Sequence, residues 1–134
     1  MAIKNIIFDL GGVLLNLDLN RTRKAFERLG LKDFDAIYTF QKQSNLFDRF
    51  ETGELAVGDF FAEIRKYIPN AKDDEIAEAW NAMLLDLPPD RVDFLKQLGS
   101  KYKLYLLSNT NEIHVTGFRQ IIARAYHADL FEAL

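Results

Sequence analysis

The stretch Ile6-Ile7-Phe8-Asp9-Leu10-Gly11-Gly12-Val13-Leu14-Leu15 constrains the fold more than any other part of the chain. An apolar run leads straight into an aspartate, glycines follow, and a second apolar run follows those. β-branched residues beside the aspartate favour a buried strand over a helix. Asp9 then stands where the strand stops, and Gly11 and Gly12 permit tight backbone geometry. Ligands of α/β sheets bind at the carboxyl edge of the strands, so an acid at that edge is placed for chemistry. Two readings of Asp9 stay open at this point. It can accept a local hydrogen bond in a turn, or it can be a carboxylate nucleophile or metal ligand.

From Asn20 to Leu84 the periodicity is helical, with no strand candidate. Asn20 is the expected N-cap of a first helix ending at Gly30. Further helices are expected over about Asp33 to Gln41 and Ser44 to Glu51, with a break at Thr52-Gly53. The next is Val57 to Ile68, stopped by Pro69, and another begins at a capping Asp73. The aromatic stripes of this block (Phe60, Phe61, Tyr67 and Trp80 among them) read as the core of a small helical bundle. Arg21, Arg23 and Lys24 read as a solvated face.

Pro88-Pro89 punctuates the chain before a short helix carrying Val92, Leu95 and Leu98. Lys103 to Leu107 is the second buried strand, ending at the polar cluster Ser108-Asn109-Thr110-Asn111. A helix with Phe118, Ile121, Ile122 and Ala125 follows, and Asp129-Leu130-Phe131 reads as the start of a third strand. A helix feeding a strand is half of a parallel βαβ unit, so Asp9 and Ser108 are expected side by side at one sheet edge. Ser108 and Asn109 are expected at a helix N-terminus, where hydroxyl, amide and backbone N–H groups form an anion site. They can equally be a plain helix cap. An anion held beside a carboxylate needs a cation between them, hence Mg²⁺ or a nearby lysine.

Other properties bound the function. The 134 residues are 49% hydrophobic, which suits one globular domain carrying a small insertion. A net charge of −3 gives no ground for a nucleic-acid or anionic-membrane partner. The chain has no cysteine, which excludes disulfides and thiolate chemistry. The N-terminus has no signal-peptide layout, and no apolar run is long enough to span a bilayer. A cytoplasmic protein is expected.

Phe8-Asp9-Leu10-Gly11-Gly12-Val13-Leu14 resembles the first motif of the haloacid dehalogenase (HAD)-like hydrolases, and Leu106-Leu107-Ser108-Asn109-Thr110-Asn111 resembles their second. Within that superfamily the pair is similar to the α-D-glucose-1-phosphate phosphatase type. The helical block, including Phe50-Glu51-Thr52-Gly53-Glu54, is similar to the helical cap the family inserts after its first strand. The resemblance implies an α/β fold with a Rossmannoid parallel sheet, residues 1–18 and 85–134, and an inserted helical cap, residues 19–84. It implies a phosphatase of small phosphorylated metabolites in which Asp9 is the nucleophile and Ser108 and Asn109 bind phosphate. Mg²⁺ would be held by the Asp9 carboxylate and the Gly11 backbone carbonyl.

The chain departs from the family pattern at two places. Most phosphatases of the family carry a general acid two residues after the nucleophile, where this chain has Gly11, and Asp18 is the only acid nearby in sequence. The third and fourth motifs, a lysine and further acidic metal ligands, have no match before Leu134. The expectation is therefore a nucleophile-bearing portion with little activity by itself and an open sheet edge that invites a second copy. The alternatives are a 2-haloacid dehalogenase or a non-catalytic scaffold of the same fold. His114, near a helix start, is expected to be structural or at the site's rim.

Overall fold

The computed structural model describes residues 2–43 and 46–127, the side chains of 40–43 excepted. The third strand expected at Asp129-Leu130-Phe131 and the helix start expected at Ser44 lie outside the described residues. The chain divides into two compact units: residues 1–17, 84–109 and 117–134, and residues 18–83 and 110–116. Among the described residues no helix is long and apolar enough to cross a membrane.

The first unit is α/β. Strand β1 (Asn5–Phe8) pairs in parallel with β2 (Lys103–Leu106), with Ile6 opposite Leu104 and Phe8 opposite Leu106. Helix α6 (Pro89–Gly99) makes the crossover into β2. Pro89 fits its first position because the N–H that proline lacks has no intrahelical partner there. Val92 and Leu95 on α6, Leu104 on β2, and Leu10, Leu14 and Leu15 after β1 are all buried. Helix α7 (Glu112–Tyr126) adds the buried Phe118 and Ile122 to this unit, and its Tyr126 hydroxyl donates to the Leu87 carbonyl.

The second unit is helical: α1 (Leu19–Arg28), α2 (Phe34–Gln43), α3 (Leu46–Glu51), α4 (Val57–Arg65) and α5 (Asp73–Asn81). The aromatic residues form its core. Phe60 is 0% exposed and meets Phe50 at 4.4 Å, Trp80 at 5.7 Å and Phe47 at 6.0 Å between ring centroids. Burying a side chain of this size stabilises by about 1.5–3 kcal/mol, so this cluster outweighs the surface ion pairs, worth about 0–1 kcal/mol each.

Three helix ends differ from expectation. Asp18, not Asn20, is the N-cap of α1: its carboxylate accepts from the Asn20 N–H at 3.0 Å. Asn20 already lies within the helix, where its side chain accepts from Arg23. The α5 N-cap position is Lys72, and Asp73 is the first helical residue; the Glu75 carboxylate accepts from the Lys72 N–H at 2.8 Å. Helix α4 stops at Arg65, before Pro69, with Lys66 already at its C-cap.

Candidate active site

The strand ends assemble the site. Beyond the last paired residues, the Leu107 N–H donates to the Phe8 carbonyl at 2.8 Å, which carries the parallel register one step past the strands. Asp9 and Ser108 therefore follow adjacent parallel strands at the same carboxyl edge. Both line one open crevice of about 490 Å³, with Phe8, Gly11, Leu17 and Asn109.

The segment after Asp9 is held by its own backbone. The Leu10 carbonyl accepts from the N–H groups of Val13, Leu14 and Leu15 at 3.2, 2.9 and 2.9 Å. The Gly12 N–H donates to the Leu15 carbonyl at 2.8 Å, and Gly12 adopts φ +74°. That conformation is one L side chains rarely take. Arg91 on α6 then pins the segment, donating to the Leu14 carbonyl at 2.9 Å and to the Asn16 side chain at 3.0 Å. Both partners sit part-buried with Arg91, so the segment is fixed to a helix rather than left to solvent.

Asp9 is exposed, and one carboxylate oxygen accepts from the Leu10 N–H at 2.7 Å. The local turn bond is thus present, and it engages only one of the two oxygens that a carboxylate offers. Ser108 is half-buried and Asn109 exposed.

Neither Ser108 nor Asn109 stands at a helix N-terminus, contrary to the sequence expectation. Helix α7 begins at Glu112, and Asn111 caps it: the Asn111 side-chain oxygen accepts from the His114 N–H at 2.9 Å, and its carbonyl from the Val115 N–H at 2.9 Å. Residues 110–116, expected with the Rossmannoid part, cluster with the helical unit. The cap expected at Ser108 or Asn109 falls instead on Asn111, which stands three residues before His114, at the reach an N-cap oxygen needs.

Asp18 is engaged as the α1 cap and lies in the helical unit. His114 is 9% exposed, stacks on Trp80 and shares a 2.9 Å hydrogen bond between its Nδ1 and the Asn81 side-chain oxygen. Burial lowers its pKa to about 4, so it is neutral at physiological pH and belongs to the core of the helical unit. Leu17 is a crevice residue that sequence reasoning missed. Nothing in its local pattern marks it, since its place comes from an antiparallel bridge to Leu84.

A metal in this crevice would draw on the Asp9 carboxylate and the Gly11 carbonyl. Both are hard oxygen donors of the kind Mg²⁺ takes, and Mg²⁺ is usually held by only one or two carboxylates plus waters and substrate phosphates. Among the described residues no group of three or more His, Asp or Glu gathers at one place. The donor set fits Mg²⁺ in kind and falls short of a complete protein cage.

No family model matches the chain. A D-ribitol-5-phosphate phosphatase from Bacteroides thetaiotaomicron is 33% identical over 110 residues, 81% of this chain and 53% of that protein. A crystal structure of a HAD family enzyme from the same organism superposes with a TM-score of 0.84 at 36% identity, covering 90% of this chain and 60% of its own. That enzyme has also been solved in complex with magnesium and inorganic phosphate, where the TM-score is 0.81. A HAD-like family hydrolase from Porphyromonas gingivalis is 31% identical over 83% of this chain and 53% of its own, with a TM-score of 0.71. The chain thus spans about half the length of the curated relative it matches. With the parallel strand pair, the acid-bearing strand end and these likenesses together, the chain belongs to the HAD-like hydrolase superfamily and has its α/β fold.

Proposed function

We propose that this chain is the nucleophile-bearing part of a Mg²⁺-dependent phosphatase that acts on a small phosphate ester such as a sugar phosphate. The observation that carries the reading is the placement of Asp9 and Ser108 after adjacent parallel strands, lining one crevice. The ribitol-5-phosphate phosphatase and the magnesium- and phosphate-bound HAD enzyme among its relatives support it.

An Asp9 carboxylate oxygen attacks phosphorus and the ester P–O bond breaks, leaving an aspartyl-phosphate and an alcohol that has taken up a proton. Water then hydrolyses the acyl phosphate, restoring Asp9 and releasing inorganic phosphate. The Ser108 hydroxyl and Asn109 amide hold phosphate oxygens as charge shifts. The Asp9 carboxylate and the Gly11 carbonyl would hold Mg²⁺, which when bound would supply positive charge to offset the repulsion between a phosphate and the carboxylate. Asp9 is the titratable side chain among the crevice residues, so the proton for the leaving oxygen comes from outside that lining. The helical unit serves as the inserted cap.

The test is phosphate release from sugar phosphates by the full-length protein, with and without Mg²⁺, beside mass spectrometry of the acid-quenched protein. Release that needs Mg²⁺, a phosphorylated Asp9 peptide, and loss of both in Asp9→Asn are expected. Parent-like turnover by Asp9→Asn would defeat the mechanism. Chloride release from a 2-haloacid without metal would replace it by the dehalogenase reading.

A further inference from the structure

The orientation of the Gly11 carbonyl is set from another element. Gly11 and Leu15 form a parallel bridge: the Leu15 N–H donates to the Leu10 carbonyl at 2.9 Å, and the Gly12 N–H to the Leu15 carbonyl at 2.8 Å. The bridge therefore takes the carbonyl before Gly11 and the N–H after it. A trans peptide is planar, with its C=O opposed to its N–H, and no peptide among the described residues is cis. Because the Gly12 N–H is aimed at Leu15, the Gly11 carbonyl is aimed away from it. One peptide further on the same relation holds. The Leu15 carbonyl shares its peptide with the Asn16 N–H, which donates to the Asp86 carbonyl at 2.9 Å. The Asp86 carbonyl, the Leu15–Asn16 peptide and the Gly11–Gly12 peptide thus form one row of hydrogen-bonded dipoles that ends at the Gly11 oxygen. Members of such a row polarise one another.

Two side chains hold this row. The Asn16 Nδ2 donates to the Asp86 carboxylate at 2.9 Å, and the Asn16 Oδ1 accepts from Arg91 Nη1 at 3.0 Å. The same Arg91 nitrogen donates to the Leu14 carbonyl at 2.9 Å. Leu14 and Leu15 are buried, so packing holds their side chains while Arg91 and Asn16 hold the backbone beside them. Arg91 stands in the first turn of α6, where the helix dipole disfavours a cation. An arginine serving the helix alone would be better placed in its last turn. All these residues belong to the α/β unit.

We propose that Arg91 and Asn16 are positioning residues for a metal ligand: they lock the Leu14–Asn16 backbone, and the row of peptides then holds the Gly11 carbonyl in one orientation for Mg²⁺. The proposal rests on the phosphatase reading, which supplies the metal. Neither side chain binds the ion; each acts through Leu15 and Gly12. The sign of the effect separates this role from plain electrostatics. Removing a positive charge from the unit would by Coulomb's law tighten Mg²⁺ binding. Freeing the Gly11 carbonyl weakens it.

Amide exchange and Mg²⁺ binding in the isotope-labelled protein, both followed by NMR, test the two parts separately. Without metal, Arg91→Met and Asn16→Ala should each speed Gly12 amide exchange about fivefold or more, as loss of one hydrogen bond does. The Leu107 amide, bonded to the Phe8 carbonyl between the strands, should keep its parent rate. With Mg²⁺ alone as titrant, the Gly11 carbonyl carbon should shift in the parent. Arg91→Met should weaken that binding about tenfold, the usual scale for a group that orients a metal ligand. Arg91→Lys, which keeps the charge and a donor, should recover part of both effects. Lys96→Met, the same loss of charge at the far end of α6, should match the parent in both. A Gly12 amide that exchanges at the parent rate in both Arg91→Met and Asn16→Ala overturns the proposal. So does equal acceleration at Gly12 and Leu107, which is general loosening of the unit. Parent-like or tighter Mg²⁺ binding in Arg91→Met overturns it as well. A parent whose Gly11 carbonyl ignores Mg²⁺ counts against the phosphatase reading, and faster Gly12 exchange in the variants then still supports the hydrogen-bonded row.

Discussion

His114 stacks on Trp80 with ring centroids 5.0 Å apart and planes 12° from parallel. Its Nδ1 meets the Asn81 side-chain oxygen at 2.9 Å, so the neutral ring satisfies its polar edge inside an aromatic core. Desolvation holds its pKa near 4, against about 6.5 in an unfolded chain. Between those values the unfolded state binds the proton and the folded state does not. Stability from this group is therefore complete above about pH 6.5 and falls as pH drops, by about 3 kcal/mol at pH 4. Urea unfolding at pH 7.5 and pH 4.5, for the parent and His114→Gln, should show a smaller acid loss in the variant. Equal losses would show that another group carries the acid sensitivity.

Thr22 is 0% exposed and ties two elements of the helical unit. Its hydroxyl donates to the Trp80 carbonyl at 3.1 Å and accepts from the Met83 N–H at 2.9 Å. Valine has the same shape and neither capability, so Thr22→Val removes this partner from the buried Trp80 carbonyl and from the part-buried Met83 N–H. The expected cost is about 1–3 kcal/mol, read as a lower urea midpoint. Thr22→Ser, which keeps the hydroxyl, should recover most of it.

Gly11 and Leu17 are coupled by contact. A Cβ on Gly11 would stand 2.9 Å from the Leu17 Cδ1. Leu17 is 43% exposed, so its side chain can swing aside at modest cost. Gly11→Ala is expected to destabilise by about 1 kcal/mol and to be relieved when combined with Leu17→Ala. Gly12→Ala should cost about 1–2 kcal/mol without any such relief. There the φ of +74° is the obstacle, and no atom lies within 4 Å of the added carbon. Additive behaviour at Gly11 would mean that Leu17 is not what fills the space.

Ser108→Ala tests the second half of the crevice. If its hydroxyl holds a phosphate oxygen in the transition state, kcat/KM of the full-length protein should fall about 10²–10³-fold with folding unchanged. Ser108 is only half-buried, so removing its hydroxyl leaves no core cavity. A fall of less than threefold would remove Ser108 from the phosphate site.

Short-range rules account for the part of the protein that could be read along the chain. The apolar run ending in Asp9, the glycines after it and the helical period of residues 20–84 each have one local solution, and strand β1 and helices α1 to α5 follow it. The meeting of Asp9 and Ser108 was legible too, because a helix between two strands dictates a parallel pair with both carboxyl ends at one edge. Helix ends were less legible: Asp18 and Asn20 are both good caps by residue type, and only the backbone direction after Leu17 decides between them. The tertiary structure alone decided where α7 begins. Ser108, Asn109, Thr110 and Asn111 are all plausible caps, and Asn111 takes the role where the helical unit holds residues 110–116. It also decided that His114 is buried against Trp80 and that Leu17 lines the crevice. Each of these joins residues 30 or more positions apart or depends on a long-range bridge. Contacts of that range are set by how whole elements pack, which no local period encodes.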